Sequence, residues 1–108
     1  MDTKKEVFRQ FIFRQIRGYE HSQAQIIFLA YMAFDYLNTI EKFYTETEKE
    51  QAKNRAKQEY INRNRTKRYR VVDEHVMQMT VKNNAKAILF LNWLNSKSIE
   101  ELKKYYYN

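Results

Sequence analysis

The chain reads as an all-α protein, a small bundle of four to five helices in which one long basic helix could protrude. Three observations predict this. One glycine and no proline stand in 108 residues, too few turn formers for a many-turned β fold. Apolar residues recur at spacings of three and four rather than two. With 44% hydrophobic and 16% aromatic residues the chain can fill one core, so disorder is not expected, and its length fits a single domain spanning residues 1–108.

The first helix is expected over Thr3–Arg17, with Phe8, Phe11, Ile12 and Ile16 at helical spacing. Gly18 then suits the position after the last turn, where φ is positive. Ser22 with Gln25 reads as a capping box opening a second helix. Its series Ile26, Ala30, Ala33, Leu37, Ile40, Tyr44 steps 4, 3, 4, 3, 4, an a/d seam nearly three heptads long. Ile27, Tyr31 and Phe34 add a second apolar face. This helix is therefore expected to be the buried spine.

A third helix could be capped by Thr45 with Glu48 or by Thr47 with Glu50, or could continue the second without a break. To about Arg65 it is polar, with one narrow apolar stripe, Ala52, Ala56 and Tyr60. Residues 67–81 carry two signals. Tyr69, Val72, Val76 and Met79 step 3, 4, 3, while Met77, Met79 and Val81 alternate; helix from about Val72 is favoured over a short strand near 69–72. Residues 85–94, with the single tryptophan Trp93, should form another buried helix, one that could be fused to its predecessor. Ser98 with Glu101 opens a last helix with Ile99 and Leu102 facing inward. Phe28, Phe34, Phe43, Phe90 and Trp93 are expected in the core. Tyr105, Tyr106 and Tyr107 cannot all be buried on one terminal turn.

The charge is the functional signal. Residues 51–70 hold Lys53, Arg55, Lys57, Arg63, Arg65, Lys67, Arg68 and Arg70 against one acid, Glu59. That surplus of seven equals the net charge of the chain; the remaining 12 basic and 12 acidic residues cancel. Clustered cations repel, and a helix needing only solubility interleaves acids. Phosphates would give the cluster a use through counterion release. Five of the eight cations are arginines, suited to bidentate phosphate and guanine contacts. Gln51, Asn54, Gln58, Asn62, Asn64 and Thr66 can reach phosphates or base edges, and Tyr60 and Tyr69 could stack on bases. The competing reading is a solvated basic helix without a ligand.

The expected partner is therefore nucleic acid, DNA before RNA, with a helix in a groove one way to dock. The alternative is a protein-binding inhibitor or adaptor aimed at a host machine that handles nucleic acid. The seam on the second helix could also serve a homodimer. Lys, Asn, Ile and Tyr supply 38 of 108 residues; their AT-rich codons suit a low-GC bacterium, its phages or a mobile element.

No enzyme is expected. There is no cysteine, which removes thiolate chemistry and thiolate metal sites. A glycine-rich phosphate loop is impossible, and neither H-E-x-x-H nor EF-hand spacing occurs. Asp73, Glu74 and His75 point about 100° apart on a helix and do not converge on one ion. Asp35 and Glu41 are isolated carboxylates. No catalytic residue, metal ligand or cofactor is assigned. The longest apolar run, residues 26–34, is far below the roughly 18 that would span a bilayer, and no signal segment is evident, so a cytoplasmic protein with no integral membrane association is expected.

Residues 80–102 somewhat resemble the helical core-binding domain of tyrosine recombinases: Thr80 would open a helix, followed by an aliphatic–aromatic stripe ending at Trp93-Leu94. The resemblance implies a helical, DNA-contacting segment.

Overall fold

Asp2 starts the first helix, its carboxylate accepting from the amides of Lys4 at 3.1 Å and Lys5 at 3.4 Å, two donors that the helix itself cannot satisfy. The computed structural model describes residues 2–22, 28–64 and 74–107. Five helices and no strand occur among them: α1 Thr3–Arg17, α2 Ala30–Ile40, α3 Glu46–Asn64, α4 Glu74–Ser96 and α5 Ile99–Tyr106.

α1 has the predicted bounds. Gly18 ends it at φ 74°, a conformation that side-chain-bearing residues rarely adopt. Val7, Phe8, Phe11 and Ile12 are buried. α2 is shorter than its seam predicts. Ala30, Ala33, Phe34 and Leu37 are buried, but the chain leaves the helix at Glu41, which is extended (φ −154°, ψ 155°). Ile40 is left 52% exposed. Phe43 and Tyr44 fold back so that their rings lie 5.3 and 5.4 Å from that of Phe34. Gln25, Ile26 and Ile27 lie outside the described residues. Phe28, expected in the core, is 67% exposed; on the α2 periodicity it falls about 160° from the buried face. The seam is used within the chain, against α1 and α4.

Helices two and three are separate. The Thr45 hydroxyl accepts from the Glu48 amide at 3.1 Å, while the Glu48 carboxylate accepts from the Thr45 amide at 2.9 Å. This reciprocal capping box starts α3. From there Ala52 and Ala56 are buried and Tyr60 packs on the core, the predicted stripe. Small residues there let α3 lie close along α4.

The spine is α4, not α2. Its 23 residues bury Val81, Ala85, Ala87, Leu89, Phe90, Trp93 and Leu94, an arc wide enough to pack α2 on one side and α3 on another. The fusion anticipated from sequence is present: α4 runs unbroken from Glu74, and the predicted start near Val72 lies outside the described residues. Thr80 therefore lies inside it and opens nothing. The stripe Val76 and Met79 faces outward, 52% and 46% exposed, while Met77 and Val81 reach the core. The suggested strand at 69–72 lies outside the described residues.

α5 opens on the predicted Ser98–Glu101 capping box and buries Leu102. Ile99, in its first turn, stays 51% exposed, because the inward face is centred on Leu102, Tyr105 and Tyr106. The core is aromatic: Phe8 lies 6.0 Å from Phe90, 6.1 Å from Trp93 and 5.1 Å from Tyr36, and Trp93 lies 5.1 Å from Tyr105. No described helix is long and apolar enough to cross a membrane.

Candidate nucleic-acid interface

α3 and α4 run antiparallel. Lys53 and Lys57 face Glu74–Lys82 across one flank of the helix pair, and Gln51 and Arg55 face Ile88 and Asn92 across the other. At about 100° per residue, Arg55 stands about 160° around α3 from Lys57. The cations of α3 thus flank it on two sides rather than forming one row.

On the first flank Lys49 and Lys53 from α3 meet Lys82 and Lys86 from α4 around a cleft of about 400 Å³ floored by Phe34, Tyr44, Ala85 and Leu89. The cleft continues past Lys53 and Lys82 to Lys57, Met77 and Glu74. Among the described residues no carboxylate pairs with Lys49, Lys53, Lys57 or Lys82. Lys86 is engaged: its ammonium lies 2.8 Å from Asp35, which also takes Lys4 at 3.0 Å. Burial pulls the Asp35 carboxyl up, but Lys86 and Lys4 outweigh it and hold the group below its ordinary value. Two ammonium groups on one carboxylate leave one positive charge over at the cleft wall.

The second flank is weaker. Arg55 is bound to Glu59 at 3.2 Å, an exposed i,i+4 pair. Arg63 is exposed in the last turn. Tyr60, a candidate for base stacking, is used in packing against the core. Arg65, Lys67, Arg68, Tyr69 and Arg70 lie outside the described residues. Along its axis α3 changes balance, with Glu46, Glu48 and Glu50 against Lys49 in its first turns and Lys53, Arg55, Lys57 and Arg63 against Glu59 after them. That order also suits the helix dipole.

Lys49, Lys82 and Lys86 were missed by counting charge along residues 51–70. Lys49 lies just ahead of that window; Lys82 and Lys86 arrive from another helix. Their i,i+4 spacing was a readable sign of a shared face.

A second cationic surface lies on α1. The guanidinium of Arg9 sits 4.8 Å from the Tyr106 ring centre, that of Arg17 5.3 Å from Phe13 and that of Arg14 5.7 Å from Tyr19. All of these but Arg17, with Glu6 and Gln10, border an open cleft. Nearby, His21 packs its ring on Phe11 at 4.9 Å, and burial, then the charge of Arg14, lowers its pKa.

The isolated carboxylates are both occupied, Asp35 by its lysines and Glu41 by the Tyr105 hydroxyl. No three His, Asp or Glu side chains converge as metal ligands among the described residues. No protein-family model, curated protein or solved structure matches the chain.

Proposed function

We propose that the protein binds nucleic acid without catalysis, docking it along α3. The observation that carries the reading is the convergence of Lys49, Lys53 and Lys57 with Lys82 and Lys86 on one flank of the α3–α4 pair. Among the described residues, four of these ammonium groups form no ion pair, and Glu74 at the far end is the one acid that shares the stretch of cleft lined by Lys53, Lys57 and Lys82. Like charges held this close repel, and a line of phosphates relieves the repulsion while releasing its condensed counterions. Arg55 extends the contact to the other flank, and Arg63 to the last turn of α3.

Fluorescence anisotropy of a labelled 20-base-pair duplex, titrated from about 50 to 300 mM KCl, tests this. Five phosphate contacts predict a slope of log K against log salt of about −4 to −5. The Lys53→Gln, Lys57→Gln, Lys82→Gln triple variant should weaken binding and flatten that slope by about 2 to 3. Affinity insensitive to salt, or unchanged in the variant, would overturn the proposal.

The arginine–aromatic face of α1 favours a second reading, an adaptor that holds an acidic partner protein. Arg and Tyr dominate the energetic centres of protein interfaces. A partner held there would be indifferent to the three lysine substitutions.

A further inference from the structure

The line of α3 turned farthest from the core is neutral, with the exposed Glu50 about 60° from its axis on the Lys57 side. Thr47, Gln51, Asn54, Gln58 and Ile61 step 4, 3, 4, 3 along it, centred about 180° from the buried stripe Ala52, Ala56, Tyr60, with Gln51 at its edge toward the flank it shares with Arg55. The first four are exposed and Ile61 is 39% exposed. Lys57 and Arg55 stand about 80° to either side of this ridge. A helix that only sprayed charge at phosphates would have no reason to keep its outermost line neutral and its cations on both shoulders.

That cross-section matches one occupant. The major groove of B-DNA is about 12 Å wide, and an α-helix with side chains is about 10–12 Å across. A helix seated there turns its outer ridge to the base edges and its shoulders to the two phosphate backbones. Because α3 is packed through two alanines and a tyrosine against α4, most of its circumference is open to enter. The ridge chemistry is also particular. Asn and Gln amides can donate to N7 or accept from N6 of adenine, both at once when bidentate, and an aliphatic side chain meets the thymine methyl. From Gln51 to Gln58 the helix rises about 10 Å, about three base pairs at 3.4 Å each. The major groove of duplex RNA is too deep and narrow to be read in this way.

We propose that α3 is a major-groove reading helix for duplex DNA, with Gln51, Asn54 and Gln58 reading adenine and Ile61 meeting thymine. The inference rests on α3 being the docking helix, and the test separates the two. Anisotropy is measured on the full chain with 20-base-pair duplexes of A·T or of G·C DNA, the A·T duplex with 7-deazaadenine in place of adenine, an A·U RNA duplex and single-stranded DNA. The A·T duplex should bind at least fivefold tighter than the others. The Asn54→Ala, Gln58→Ala double variant, whose changes are on the surface and whose helicity is checked by circular dichroism, should lose about 5- to 150-fold on A·T DNA. Its affinity for G·C DNA and its salt slope should stay as they were. Removing the adenine N7 should cost the wild type as much and the double variant nothing more.

Equal affinity for A·T and G·C duplexes would overturn the groove reading. So would tighter binding to RNA or single strands, or an A·T preference that survives 7-deazaadenine and both substitutions. Phosphate docking would still stand in each of those cases. No binding to any oligonucleotide would overturn both proposals.

Discussion

Asp35 joins three helices through two bonds, to Lys4 on α1 and Lys86 on α4. Its side chain is 21% exposed and that of Lys86 25%, so the pair is shielded enough to matter for stability. Asp35→Asn leaves a part-buried ammonium short of a partner. It should lower unfolding free energy by about 1–3 kcal/mol in urea titrations at pH 7. The sign of the pH dependence follows from the lowered carboxyl pKa. The contribution is complete above the ordinary value of 3.8 and is lost as pH falls through the lower folded one. Wild type and variant should therefore converge in strong acid. Asp35 was legible in sequence only as an isolated carboxylate beside a buried face. Its two partners lie 31 and 51 residues away, and no local pattern announces a bridge across the bundle.

At the scale of the helix, ends were read well where a side chain closes them and poorly where tertiary contacts do. Gly18, Thr45 with Glu48, and Ser98 with Glu101 each mark a boundary through a hydrogen bond or a conformation that the residue type dictates. The end of α2 carries no such mark. Tyr44 keeps the heptad phase yet, with Phe43, reaches the core from irregular chain, so periodicity overran the helix. The faces of α3 were legible because Ala52, Ala56 and Tyr60 are the sole apolar line in a polar segment. The lysines across the cleft were not, because helix pairing is invisible to a count along the chain. The attachment of α3 is correspondingly narrow. Ala56→Leu inserts bulk where the side chain has no exposed surface, forcing α3 off α4. It should destabilise by about 1–3 kcal/mol by thermal or urea unfolding, and it should weaken DNA binding more than it changes overall helicity.

Over the whole molecule the dimensions are 48 × 28 × 27 Å with a radius of gyration of 15.0 Å, against about 13 Å for a compact chain of this length. The excess is explained by the far end of the α3–α4 pair. Beyond Ala56 on α3 and before Val81 on α4 no side chain is buried among the described residues, although Tyr60 and Met77 still touch the core. Stability should be graded accordingly. In hydrogen exchange followed by mass spectrometry, amides of residues 57–64 and 74–80 should exchange at least tenfold faster than those of residues 85–94, and bound duplex should slow the former and leave the latter alone. Protection confined to 85–94 would contradict the assignment of α3.

The acid-to-base gradient along α3 has a consequence for how the molecule meets its target. With carboxylates gathered at one end of the rod and ammonium and guanidinium groups further along, an approaching polyanion exerts torque as well as attraction. The Glu46–Glu50 end, where Lys49 offsets one of three carboxylates, is drawn in less than the other, which swings inward first, much as a compass needle settles before it is touched. The encounter would be oriented before any contact forms, and each landing would present the helix in the same sense along its axis.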